Sequence, residues 1–343
     1  MSIILVIVGI SILIFVHELG HFLVAKKMGL LVEEFGFGFP PRLWSKKIGE
    51  TTYSLNWLPF GGFVKIYGED PAGGGKFEAP NIQAPKERSF SFQPVWKRAL
   101  IVVAGVAMNF LLGWLLMSLI FMIGTPKALL ISEVLPASPA ESVGLLARDQ
   151  IRGFDGAKQF IDFVNKNRGK EITLNVRRDS QDLVFRAVPR IKEPAALGIG
   201  LVEAGIERHS FFSSFWEGLK ASATIVASIL AAFWTLLAGL LSRGQLAADI
   251  VGPIGIFGVA NQAGSLGLLY VVQLIAMISL NLTVLNILPF PALDGGRLLF
   301  VIIEKIKGSP LDAKFERLAN AAGFALLLLL MFAITVRDLV RLF

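Results

Sequence analysis

The chain has 343 residues, of which 54% are hydrophobic, and its mean hydropathy is +0.64. That value excludes an ordinary soluble domain and points to a membrane protein with several spans and room for one small soluble domain. The net charge of +7 fits basic loops facing anionic lipid, with no nucleic-acid partner, and the lack of cysteine leaves only His, Asp and Glu to hold a metal.

Ile3 to about Ala25 is apolar and long enough to cross a bilayer. It has no charged segment before it and no small-residue cleavage site, so it reads as a retained span (residues 1–27) rather than a signal peptide. Lys26 and Lys27 follow it, which puts the N-terminus outside and the lysines inside. Within this span lies His17-Glu18-Leu19-Gly20-His21, the pattern H-E-x-x-H. At 1.5 Å per residue His17 lies about 21 Å and His21 about 27 Å below Ile3, in the inner third of the membrane. Positions i and i+4 share a helix face, so both imidazoles can grip one metal with Glu18 beside them as a candidate general base. A catalytic zinc takes three protein ligands, so one is missing. Ionisable groups inside an apolar span are costly and usually functional.

Residues 28–96 form an inner-side loop rich in Gly and Pro. Within it Tyr53–Gly68 alternates around Pro59-Phe60-Gly61-Gly62 and predicts a β hairpin (51–68). Lys97-Arg98 opens a second span (97–124) that returns outward. From 128 to 191 the composition turns soluble and predicts a small α/β domain on the outer side. His209, the third and last histidine, reads as a plain surface or interfacial residue.

Three apolar stretches follow, Ala221–Leu241, Leu266–Phe290 and Leu318–Val336. If all three cross, Asp294 emerges a membrane thickness from the histidines. If Ala221–Leu241 instead lies along the outer surface, or tucks in without crossing, 205–262 is an amphipathic or interfacial helical region; the third span (264–304) then runs inward and delivers Asp294 to their depth, and 317–343 makes the fourth. Asp294 is the best third ligand available, so four spans are expected. Around it, Pro289, Pro291, Gly295 and Gly296 break the helix, and broken backbone at membrane depth is tolerated only beside protein or a wet cavity. Asp294 could alternatively cap the helix that follows. Asn281 and Asn286 offer amides for the substrate backbone or the developing oxyanion, or for helix–helix hydrogen bonds.

Taken together, HELGH at 17–21, LPFGGFVKIYGE at 58–69, PASPAESVGL at 136–145 and NILPFPALDGG at 286–296 resemble the site-2 protease family of intramembrane zinc metalloproteases, most closely its regulator-of-sigma-E branch. The resemblance spans nearly the whole chain. It implies a polytopic α-helical membrane protein with four transmembrane helices, a membrane-associated β element and one PDZ-like domain. It implies Zn2+ on His17, His21 and Asp294, and Glu18 as base. It implies a bacterial cytoplasmic (inner) membrane location, with the N-terminus and the PDZ-like domain periplasmic. The implied substrates are single-span membrane proteins, such as an anti-sigma factor or remnant signal peptides, cut after a first protease has trimmed them. A substrate helix must be unwound before attack, and unpaired backbone in lipid is costly. Gly61, Gly62, Phe63 and Val64 are therefore expected to line the substrate channel as a pairing edge. Two features depart from the branch: one short PDZ-like segment where many members have two, and Gly105-Val106 where Gly-Pro is usual, with Asn109 kept at the expected place. The rival reading is a non-catalytic PDZ-containing membrane scaffold with a relic metal site; a transporter would need a repeated core, which the chain lacks.

Overall fold

The computed structural model describes residues 2–69, 85–178, 181–191, 195–243 and 252–342. Parts of the expected inner-side loop (70–84) and of the expected interfacial region (244–251) therefore lie outside the described residues. The chain divides into two compact units, 1–117 with 218–343, and 118–217.

In the first unit, α1 (Ser2–Lys27) is a helix apolar on all sides, as a buried or lipid-facing helix must be. It stops where Gly29 takes a left-handed φ of 83° and Leu30 N–H donates back to Ala25 O. Lys26 and Lys27 occupy its last turn, where the helix dipole favours cations. Strands β1 (Val32–Ile48) and β2 (Thr51–Ile66) come next, joined by a turn at Gly49-Glu50. The expected hairpin about Pro59–Gly62 is not formed. Instead both halves of β2 pair with β1: Thr52–Leu55 lies against Glu34–Phe37 on one side, and Gly62–Ile66 against Val32–Phe37 on the other. The alternation along Tyr53–Gly68 is real, but a period of two says nothing about which strand is the partner. Phe22, Ala25, Val32, Phe35, Ile66, Ile101 and Val102 form one core where α1, this sheet and the start of α2 (Val95–Ile123) meet.

The unit is completed by α5 (Phe211–Arg243), α6 (Pro253–Leu266), α7 (Leu268–Ile287), α8 (Asp294–Lys307) and α9 (Ala313–Leu342). The predicted third span with its LDG segment is thus two helices, α7 and α8. Pro289 and Pro291 forbid continuation between them. Buried Ala260 on α6 and Val271 on α7 pack with Val6 near the start of α1. Five helices, α1, α2, α5, α7 and α9, are long and apolar enough to cross a membrane. Four were expected; the difference is α5, one continuous helix through the stretch read as interfacial.

The second unit holds a five-stranded sheet in the order β6-β5-β4-β3-β7, from β3 (Thr125–Val134), β4 (Gln150–Ile151), β5 (Ile172–Arg178), β6 (Gln181–Ala187) and β7 (Ile199–Ile206). Helices α3 (Pro139–Ser142) and α4 (Ala157–Lys166) accompany it. Ile172, Leu174 and Val176 alternate inward on β5 against Leu129, Ile131 and Phe160. The domain predicted over 128–191 is longer than that. Its fifth strand, β7, was missed because LGIGLVEAGI is glycine-rich and alternates poorly.

Candidate metal centre

Three side chains from distant parts of the sequence converge in the first unit. His17 and His21 come from one face of α1, and Asp294 from the first turn of α8. Asp294 Oδ2 lies 2.9 Å from His17 Nε2 and 3.4 Å from His21 Nε2, and the two Nε2 atoms are 3.2 Å apart. A tetrahedral zinc with bonds of 2.0–2.1 Å has ligand–ligand edges of about 3.3 Å, so the triangle has the size one zinc requires. The N-cap of α8 is Leu293, with Asp294 in the first turn; the Asp294 carboxylate turns to the imidazoles.

The donor set also has the electronic character of a cation site. His21 Nδ1 lies 2.8 Å from Ile101 O, a carbonyl that can only accept. Nδ1 therefore carries the proton, and a neutral ring aims a lone pair from Nε2. That lone pair faces His17 Nε2 and the Asp294 carboxylate. Asp294 Oδ2 is fully buried and accepts no well-aligned hydrogen bond. Lone pairs gathered in this way repel unless a cation lies among them. Both histidines are 8% exposed, so bulk water does not screen the cluster.

Neighbouring helix α2 is shaped around the rings. A methyl group on Gly105 would lie 2.3 Å from His21 Nε2 and 2.8 Å from His17 Cε1. Gly20 does the same for the backbone, since a Cβ there would lie 2.5 Å from Ala104 O. The glycine inside HELGH thus lets α1 and α2 approach closely, as small residues do between membrane helices. Asn109, fully buried on α2, has its amide 3.2 Å from His17 Nδ1, and Ser279 Oγ on α7 donates to Asn109 O at 2.7 Å.

The remaining expected residues separate into two groups. Asn286 Nδ2 stands 3.5 Å from His17 Nε2, at the centre. Glu18 is beside it, and Glu18 Oε2 accepts from Val64 N–H at 3.1 Å, which brings the Gly61–Val64 segment to the site as well. Asn281, by contrast, donates to Met277 O one turn back on its own helix; the structure does not bring it to the metal cluster. His209 lies in the second unit, with its ring against Phe121. Sequence reasoning missed the Ile101 carbonyl, the Val64 N–H and the contact between Asn109 and His17. The first two are backbone groups and leave no trace in residue type.

Residues 5–330 match peptidase family M50, the site-2 protease family, and the chain belongs to it. It is a zinc metalloendopeptidase and a multi-pass membrane protein. Among its relatives, the regulator of sigma-W protease RasP of Bacillus subtilis is 30% identical over 96% of both chains. The zinc metalloprotease RasP of Shouchella clausii is 31% identical over 97% of both. A protein of Clostridium perfringens is 32% identical over 99% of both.

Proposed function

We propose that this protein cuts peptide bonds within or near the transmembrane segments of single-span membrane proteins, with His17, His21 and Asp294 as its zinc ligands and Glu18 as its general base. One observation carries the reading: two imidazoles buried in a helix able to cross the membrane, and a carboxylate from the first turn of α8, aim their lone pairs at one point. When bound, zinc supplies Lewis acidity toward a water and toward the scissile carbonyl. Glu18 takes a proton from the attacking water as its oxygen bonds the carbonyl carbon, and returns that proton to the departing nitrogen as the C–N bond breaks. Asn286 donates from its amide to the carbonyl oxygen as negative charge develops there. His21 is held in its metal-binding tautomer by Ile101 O. Asn109 does the same for His17 once its amide turns so that Oδ1, buried and without a partner, accepts from Nδ1–H.

The substrate is unwound and pairs with the Gly62–Ile66 segment. Among the described residues no strand covers that segment on the side away from β1, and a free edge is a ready template for an extended chain. Four helices cross and α5 lies at the outer face. The 9 steps from Arg243 to Gly252 reach at most about 32 Å. Since α6 packs near the outer start of α1, a crossing α5 would need that link stretched to its limit. The 118–217 unit is a PDZ-like domain on the periplasmic side, where it excludes substrates that an earlier protease has not trimmed. The relative named regulator of sigma-W protease makes a single-span regulatory protein the first substrate to test, with leftover signal peptides second. The membrane is the bacterial inner membrane.

Glu18→Gln tests the core of this. Purified in detergent, the variant should keep about one zinc per chain while cleavage of a single-span substrate falls to background. Cleavage that survives the change removes Glu18 as base; loss of zinc along with activity moves Glu18 into the metal site.

A further inference from the structure

The contact between Glu18 and Val64 raises a question that the proposed reaction does not answer. Val64 sits opposite Phe35 in the ladder with β1, yet its N–H points the other way, to Glu18 Oε2 at 3.1 Å. In an antiparallel strand alternate residues present both N–H and C=O to the same edge. Tyr67 N–H bonds Leu31 O, so the odd-numbered residues of this segment face β1 and Val64 faces the open side. The Val64 N–H on that open side is therefore already taken, and its occupant is the carboxylate that must accept the proton of the attacking water. Glu18 has a second oxygen, but the bond from Val64 N–H to Oε2 holds the whole carboxylate against the strand and limits how it can turn to a water.

We propose that Val64 N–H is a substrate-binding donor whose resting occupant is Glu18, and that a substrate strand engages the edge by displacing Glu18 from it. This deepens the reading of Gly62–Ile66 as the pairing edge and rests on that reading. The exchange is balanced: the Val64 N–H···Oε2 bond breaks, a substrate carbonyl takes the donor, and Glu18 is released toward the reacting carbonyl. Glu18 becomes fully available only when a chain lies along the edge. A buried hydrolytic site is thereby kept from acting on whatever drifts past, and transmembrane helices that stay hydrogen-bonded to themselves cannot trigger it.

The test is a binding measurement on zinc-loaded full-length protein that cannot cut. Glu18→Gln and Glu18→Ala both lack the base, but a Gln amide oxygen still accepts from Val64 N–H and an Ala methyl does not. The probe is a fluorescent 20-residue Leu/Ala peptide with a central Asn-Gly to weaken its helix, titrated in micelles. Glu18→Ala should bind it on the order of tenfold more tightly than Glu18→Gln, because no competitor holds the donor. Repeating both in a Val64→Pro background, which removes the N–H on the unpaired side of an edge strand, should abolish the difference. Equal affinities of the two variants with Val64 intact would overturn the displacement and leave strand pairing standing. A tenfold gain that persists in Val64→Pro would also overturn it, since the gain would then come from the smaller side chain and not from a freed donor. No binding by either variant, with zinc content intact, would remove both the displacement and the pairing edge. The Gln/Ala contrast alone decides the matter if Val64→Pro does not fold.

Discussion

Helices α1, α2 and α7 and helices α5 and α9 all pass for membrane spans, with mean hydropathies between 1.6 and 2.3. They differ sharply in what they touch. In the most apolar stretch of each, 39, 39 and 33% of the residues of α1, α2 and α7 are buried by protein, against 6% for both α5 and α9. Hydropathy cannot separate the two sets, because lipid and a protein core are equally apolar. Polar residues can. In the packed set His17, Glu18, His21, Asn109 and Ser279 each bond to a group on another element, whereas Thr235 on α5 and Thr335 on α9 bond within their own helices and Asp338 accepts from Gly255 N–H only near the end of α9. The middle of α9, from 321 to 334, has no polar side chain at all. In this protein the polar network marks the helices that pack together around the metal cluster.

The sharpest way to break this comparison is to fill the cradle. Gly105→Ala adds one methyl group where His21 Nε2 would be 2.3 Å away. Zinc content should fall from about one per chain to nearly none, with cleavage lost, because the rings cannot keep their triangle. Metal analysis after detergent purification checks it. Full zinc occupancy in this variant would show that α2 can move aside and that the close fit is not essential.

Truncation of matched leucines comes next. Leu280 on α7 is completely buried, whereas Leu329 on α9 is 67% exposed. Leu280→Ala should cost about 2–5 kcal/mol of unfolding free energy. Leu329→Ala should change it by no more than about 0.5 kcal/mol, since its side chain leaves lipid for nothing when the chain unfolds in a micelle. Denaturant titration in one detergent measures both. Equal losses would mean that α9 has a protein partner in solution.

Much of the centre was legible in the sequence for one reason. Two histidines and an aspartate cannot sit unpaired at membrane depth, so His17, His21 and Asp294 had to find one another, and the four-span reading follows from bringing Asp294 to their depth. Distances could not be read there, and backbone partners could not be read at all. Nothing in the letters at 64 or 101 indicates a donor to Glu18 or an acceptor from His21. The sheet was misread for a related reason. Local alternation identified β2 but not its partner, β1, which begins at Val32, well before it. Asn281 and Asn286 look alike in sequence, five residues apart on an apolar helix. That spacing rotates one away from the metal cluster, where its own helix satisfies it, and leaves the other 3.5 Å from His17.

A smaller effect sharpens the polar side of the comparison. Asn109→Leu keeps the volume near His17 and removes the amide. Zinc affinity should fall about 10–100-fold, as for other groups that orient a ligating imidazole. A competition titration with a chelator reads it directly. An unchanged affinity would mean that packing against α2 alone fixes the ring.

The smallest expected effect lies outside the spans, at the turn between β1 and β2. Arg88 donates to both carboxylate oxygens of Glu50, and Lys26 adds a third contact at 3.3 Å. The Arg88 hydrogen bonds, followed by that from Lys26, outweigh partial desolvation and hold the Glu50 carboxyl at about 2, below its ordinary 4.5. A carboxylate whose proton affinity is lowered by folding stabilises the folded state at any pH above its unfolded value. That contribution shrinks as pH falls below 4.5 and is gone once the folded group itself takes a proton near 2. Glu50 is 39% exposed, so solvent screens the pair and its total effect is small. Wild type should therefore lose stability relative to Glu50→Gln between pH 4.5 and 2, and the two should run parallel from pH 5 to 8. Added salt should narrow the gap, since exposed charges are screened. The Gly105 cradle, buried among helices, should show neither dependence. If salt restored zinc to Gly105→Ala, the division between a dry packed core and a wet, charged margin would not hold.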